Sequence, residues 1–211
     1  MQRVTTRLPI IPRSKKDPTR QMRFVRSAES ILEEKLRNIR DYIIELYRNL
    51  PRATIEANHD ASLLANRTYI FDLNEYDMRA IHNAVNSFVE DELDLRDASS
   101  WFFDEYIAES YRRGTTAEFV NIAAQSELYA SNTLGRRMMS DAYRKRVALV
   151  RYRVFEEMQG FTATTRKNLG RVLSDAIANG SSIQDLMKEI QRQTGVEQSR
   201  ARRIARSEIT T

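Results

Sequence analysis

Apolar side chains recur at steps of three and four over much of the first quarter of the chain. Leu32, Leu36, Ile39, Ile43, Leu46 and Leu50 form the series, and Val25 and Ala28 extend it backward. That spacing puts them on one stripe of a helix running from about Thr19 to Leu50. Glu33, Glu34, Arg37, Arg40, Asp41 and Arg48 fall off the stripe. A helix of about 30 residues spans about 45 Å at ~1.5 Å per residue, so it requires neighbours along its length. Pro51 ends it.

Residues 51–73 read as irregular, with a β-prone run Tyr69-Ile70-Phe71. Asn74 as cap, Asp77 three positions on, and Leu73 stapled to Met78 then mark a helix start. Its apolar face is Met78, Ile81, Val85, Phe88 and Leu93, and the acids Glu90, Asp91, Glu92, Asp94 and Asp97 crowd its end. Trp101-Phe102-Phe103 opens another helix, passing through Tyr106, Ile107 and Tyr111 to Gly114 as its expected terminal glycine. Thr115 and Glu118 form a capping box for the next, which carries Phe119, Val120 and Ile122. Beyond Gly135 a basic helix carries Tyr143, Val147, Val150, Val154 and Met158 on one stripe, and Gly160 is expected to close it.

Thr162 or Thr164 begins a further helix, with Leu169, Val172, Leu173, Ala176 and Ile177 inward, that ends at Asn179-Gly180. Ser181 and Gln184 suggest a second capping box, followed by Ile183, Leu186, Met187 and Ile190. A turn at Thr194-Gly195-Val196 then leads to a final basic helix from about Glu197. No repeat of fixed period is present. The pattern predicts an all-α, elongated multi-helix protein of seven or eight helices. Its parts are an extended basic N-terminal arm over residues 1–18, a long heptad-like helix over 19–50, and a helical domain over 51–211 that closes in a C-terminal helical hairpin.

Composition sharpens this picture. Only 6 Gly and 4 Pro among 211 residues are too few for the turns of an all-β fold. The absence of Cys excludes disulfides and thiolate chemistry. The first residues lack the apolar core of a signal peptide, and no apolar run approaches the ~20 residues of a membrane span, so a soluble protein is expected. Net charge is +5, distributed as +7 over residues 1–53, −10 over 54–131 and +8 over 132–211. Basic ends around an acidic middle either meet separate partners or fold back on that middle.

Reactive constellations are missing. His59 and His82 lie too far apart for a helical metal pair, and no phosphate-binding loop or nucleophile elbow occurs. The acidic run from Glu90 to Asp97 lacks the glycine of a calcium loop and reads as a solvated helix end. No catalytic residue, metal or cofactor is assigned, and the chain is expected to act by binding. Leu8, Ile10 and Ile11 of the arm, with Val25, Leu32 and Leu36 of the first helix, are candidate partner-docking residues. Arg136, Arg137, Arg144, Lys145 and Arg146, and Arg200 and Arg203 near the end, are candidates to face nucleic acid by phosphate contacts, or else to pair with the acidic middle. The paired helices around residue 195 suggest either a helix-turn-helix or a plain hairpin.

Three strings, in order, resemble the phage Mu protein F-like head morphogenesis family. They are Tyr69-Ile70-Phe71-Asp72-Leu73, then the run from Tyr106 through Arg112, Arg113 and Gly114 to Thr115, and then a closing run. In the last, Leu173, Ile177, Gly180, Ser182, Leu186 and Ile190 lead into Ser199 to Glu208, where Ile204, Ala205, Arg206 and Glu208 carry the most specific part. The resemblance covers roughly residues 65–211, matching only in helical character around the basic helix. It implies a minor capsid protein of a tailed bacteriophage, located in the virion near the portal vertex and in the host cytoplasm during assembly. Implied partners are portal or major capsid protein and packaged DNA, with self-association through the long helix a further expectation. Family members commonly continue past the Ile-Ala-Arg string, and any activity lodged in such a segment is outside this sequence. The alternative is a free helical nucleic-acid-binding regulator that uses the C-terminal basic helices.

Overall fold

A computed structural model describes residue 17 and residues 20–52, 69–93 and 101–210. Among them are seven α-helices: α1 Met22–Arg48, α2 Glu75–Leu93, α3 Ala108–Ala123, α4 Glu127–Ala130, α5 Leu134–Met138, α6 Asp141–Ala178 and α7 Ile183–Thr210. A π-helical turn, Phe103–Ile107, leads directly into α3. The described residues include no strand. The Tyr69-Phe71 run makes only one isolated antiparallel bridge, between Phe71 and Arg52. The all-α expectation holds, but the hairpin expected around residue 195 is absent because both of its arms belong to α7; the helical pair at the C-terminal end is α6 and α7. The basic arm is outside the described residues, apart from Asp17.

The chain divides into two compact units, neither contiguous in sequence. One comprises residues up to 29, 98–157 and 203 onward; the other comprises 30–97 and 158–202. In the second, α1 bonds to α2 through Lys35 Nζ on the Glu92 carbonyl (2.6 Å) and to α7 through Glu33 and Arg202 (2.6 Å). There α6 bonds to α2 through Ser174 and His82 (2.8 Å) and to α7 through Asn168 and Glu197 (2.9 Å). Each of the four helices therefore has two neighbours, and the apolar stripes meet between them. Leu32, Leu36, Ile39, Ile43, Ile81, Val85, Leu169, Leu173 and Ile190 are all buried. The α1 stripe shifts at its end, where Tyr47 rather than Leu46 is fully buried. On α2, Val89 takes the buried place expected of Phe88, whose ring stacks on Tyr42 at 3.9 Å.

Capping explains where several helices begin. Asn74 Oδ1 accepts from the Asp77 N–H and Asp77 Oδ2 accepts from the Asn74 N–H, both at 3.0 Å, the reciprocal box expected. The cap of α7 is Ser182, not Ser181, with Asp185 as its partner. The basic helix starts after Ser140, whose Oγ accepts from Tyr143 N–H, and Gly135 lies inside the short α5. At the end of α6, Gly180 takes φ 58°, the left-handed conformation that costs a residue without Cβ little.

Three expected breaks are absent. Gly114 lies inside α3, so Thr115 and Glu118 cap nothing. Gly160 lies inside the 38-residue α6, and Gly195 inside the 28-residue α7. At Gly195 the reason is legible. Between Ile190 and Ala201 the buried positions of α7 are Gln193, Thr194 and Glu197, so the stripe continues in polar residues.

Candidate ligand cleft

In the first unit, Gln21 Nε2 at the start of α1 donates to the Ser110 carbonyl of α3 at 3.1 Å. Ser110 Oγ donates to the Ile209 carbonyl of α7 at 2.7 Å. Arg153 of α6 pairs with Glu208 of α7 at 2.7 Å, and Arg151 pairs with Asp104 at 2.6 Å. Phe102, Phe103, Tyr106, Ile107, Val154, Ile204 and Ala205 fill the interior. The π turn, closed by the Ala108 N–H on the Phe103 carbonyl, keeps Phe103, Tyr106 and Ile107 turned inward.

A cleft of about 610 Å³ opens in this unit, lined by residues of α3, α5 and α6, by the start of α1 and by the end of α7. That volume is in the range of ligand-binding pockets. Its walls include Ile107, Ala117, Val150 and Ile209, and five arginines against two glutamates line it. Three of those arginines have partners: Arg113 with Glu109 (2.6 Å), Arg137 with Glu118 (3.1 Å) and Arg153 with Glu208. Arg20 and Arg146 make no ion pair among the described residues, and Arg146 Nε donates only to the Ala142 carbonyl.

Two further features distinguish the cleft. Gln21, on its wall, is 5% exposed, and its Oε1 has no hydrogen-bond partner among the described residues. An unsatisfied buried acceptor costs roughly 1–3 kcal/mol. Arg20 beside it holds φ 58°, which a side-chain-bearing residue rarely adopts. At the rim, Glu109 receives Arg112 at 2.8 Å as well as Arg113, and these hydrogen bonds bring its carboxyl from 4.5 down to about 2.

No family model, curated protein or solved structure matches this chain.

The cleft gathers positions that sequence reasoning had assigned to family pattern or to nucleic acid. Arg113, Gly114 and Glu208 line it, as do Arg137 and Arg146. Arg112 stands on the rim through Glu109, Ile204 and Ala205 are buried, and Arg206 pairs with Glu29 at 2.8 Å. Arg144 pairs with Asp141 at 3.1 Å, and Arg200 lies 6.0 Å from the Phe161 ring centre. Arg136, Lys145 and Arg203 are exposed without an ion pair among the described residues. Of the residues assigned to nucleic acid, only Arg137 pairs with the acidic middle among the described residues, at Glu118; Arg151 and Arg166 reach Asp104 and Glu90 there, whereas Arg144 and Arg206 pair with acids outside it.

The docking assignment requires correction. Val25, Leu32 and Leu36 are fully buried in the chain's own interior, so neither docking nor self-association can use the α1 stripe. Their periodicity marked burial, which a sequence pattern does not divide between self and partner. Leu8, Ile10, Ile11 and His59 lie outside the described residues. His82 bonds Ser174, and no cluster of metal-binding side chains occurs among the described residues. Gln21 and Glu197 were missed, because a lone polar residue on a helix carries no sign of its burial.

Proposed function

We propose that the chain is a structural minor head protein of a tailed bacteriophage that acts by binding rather than catalysis. In this reading it docks on portal or major capsid protein and approaches packaged DNA during head assembly or ejection. It resides in the head near the portal vertex after passing through the host cytoplasm. The observation that best supports the reading is the meeting of two resembling strings separated by about ninety residues of sequence. Ser110 and Arg113 of the first line one cleft with Glu208 at the second, and Ser110 Oγ donates to the carbonyl of the adjoining Ile209. Strings that build one site together carry more weight than strings scattered over a surface.

Exposed Arg136, Lys145 and Arg203 provide non-specific phosphate contacts. No helix among the described residues is long and apolar enough to cross a membrane. The regulator reading loses its main support, because the expected turn at Thr194-Gly195-Val196 is interior to α7. Mass spectrometry of purified phage particles is the direct test. Peptides from this chain at a few copies per particle are expected; their absence from particles made by cells expressing the chain retires the proposal.

A further inference from the structure

The arginine-lined cleft has the dimensions and charge of a docking groove, and we propose that it receives an acidic amphipathic segment of a partner protein. From Ile107 to Asn121 its α3 wall covers about four turns, roughly 21 Å at ~1.5 Å per residue. Apolar lining from Ile107, Val150 and Ile209 beside arginines suits a helix whose apolar face enters while its acids meet Arg20 and Arg146, the two lining arginines without an ion pair among the described residues. Gly114 on the same wall has no atom within 4 Å of where a Cβ would stand, so the α3 backbone is open to close approach there.

A single phosphate fits less well. Of the helix starts among the lining residues, that of α3 continues the π turn without a break, and that of α1 is already capped, with Asp17 Oδ1 accepting from the Gln21 N–H at 2.9 Å. Its arginines are distributed over the arm end, α3, α5 and α6 rather than gathered at one helix terminus. Gln21 Oε1, buried without a partner among the described residues, is an acceptor that an incoming N–H would satisfy and a phosphate dianion would not. This inference stands apart from the phage reading, since it concerns only the chain's own cleft.

Purified full-length chain is titrated with a fluorescent peptide of about 15 residues, with Leu at helical spacing and Glu elsewhere. A scrambled isomer of equal charge and inorganic phosphate serve as comparison probes. The ordered peptide is expected to saturate and to bind at least about ten-fold tighter than its isomer, a difference of about 1.4 kcal/mol. Gly114→Leu, which fills the groove, and Arg146→Gln are each expected to weaken binding about ten-fold with helix content and melting temperature retained. Equal binding of the two peptides, displacement of the ordered peptide by millimolar phosphate, or no saturation overturns the proposal. So does undiminished binding by both folded variants.

Discussion

Ser110 Oγ donates to the carbonyl of Ile209 at 2.7 Å, across ninety-nine positions of sequence. Ile209 is in the last turn of α7, where a helix leaves four carbonyls without intrahelical donors. A buried hydroxyl of α3 therefore caps α7 from outside. Ser110→Ala strands that carbonyl and is expected to cost about 1–2 kcal/mol. Chemical denaturation of the variant checks it, and an unchanged midpoint removes the cap from the account.

Glycine substitutions separate one long helix from two short ones by sign. Gly160 and Gly195 are helix-interior, a Cβ at 160 meets only Arg200 Nη2 at 3.9 Å, and one at 195 meets nothing. Gly160→Ala and Gly195→Ala are therefore expected to stabilise by about 0.5–1 kcal/mol each. Gly180→Ala, at φ 58°, is expected to destabilise by about 1 kcal/mol. Loss of stability at 160 or 195 would restore a break there.

Tyr47 is fully buried, and its hydroxyl donates to the Ser181 carbonyl at 2.7 Å. Burial, with Tyr69 adding to it and Arg52 opposing, pushes this phenol from 10 up to about 12. A raised folded-state value means its contribution is complete below pH 10 and lost as pH rises toward 12. Tyr47→Phe is expected to cost about 1–2 kcal/mol at neutral pH. The difference from the parent should narrow above pH 10, read by melting temperature against pH.

Glu109 behaves in the opposite sense. Hydrogen bonds from Arg112 and then Arg113 hold its carboxyl near 2, so its contribution is present above pH 4.5 and fades as pH falls toward 2. The arginines are well exposed, so Glu109→Gln is expected to cost only about 0.5–1 kcal/mol at pH 7. The gap between the two proteins should shrink steadily as pH falls from 4.5 to 2, and a gap that stays constant over that range assigns the effect to packing.

Glu197 is 1% exposed and receives Asn168 Nδ2 at 2.9 Å, Gln193 Nε2 at 3.2 Å and Thr165 Oγ1 at 3.3 Å. Glu197→Leu leaves two buried donors and the half-buried Asn168 without an acceptor, an expected loss of about 2–4 kcal/mol. Glu197→Gln keeps an acceptor and should recover a large part of it. Equal losses in the two variants would mean that the cluster acts through shape alone.

Local order alone determined the helical class, the α1 stripe, the Asn74-Asp77 box and the turn at Gly180, because three- and four-residue periodicity, side-chain caps and left-handed glycine act within one or two turns. Whether Gly114, Gly160 and Gly195 end helices was decided by packing, since burial against neighbouring helices outweighs the ~1 kcal/mol that a glycine costs a helix. The cleft was likewise a product of tertiary structure. It is made by Gln21, Arg113, Arg153 and Glu208, which lie up to about 190 positions apart, and no local pattern could bring them together. Periodicity identified which side chains leave water, and only the folded chain determined that Val25, Leu32 and Leu36 leave it for the chain's own interior rather than for a partner's surface.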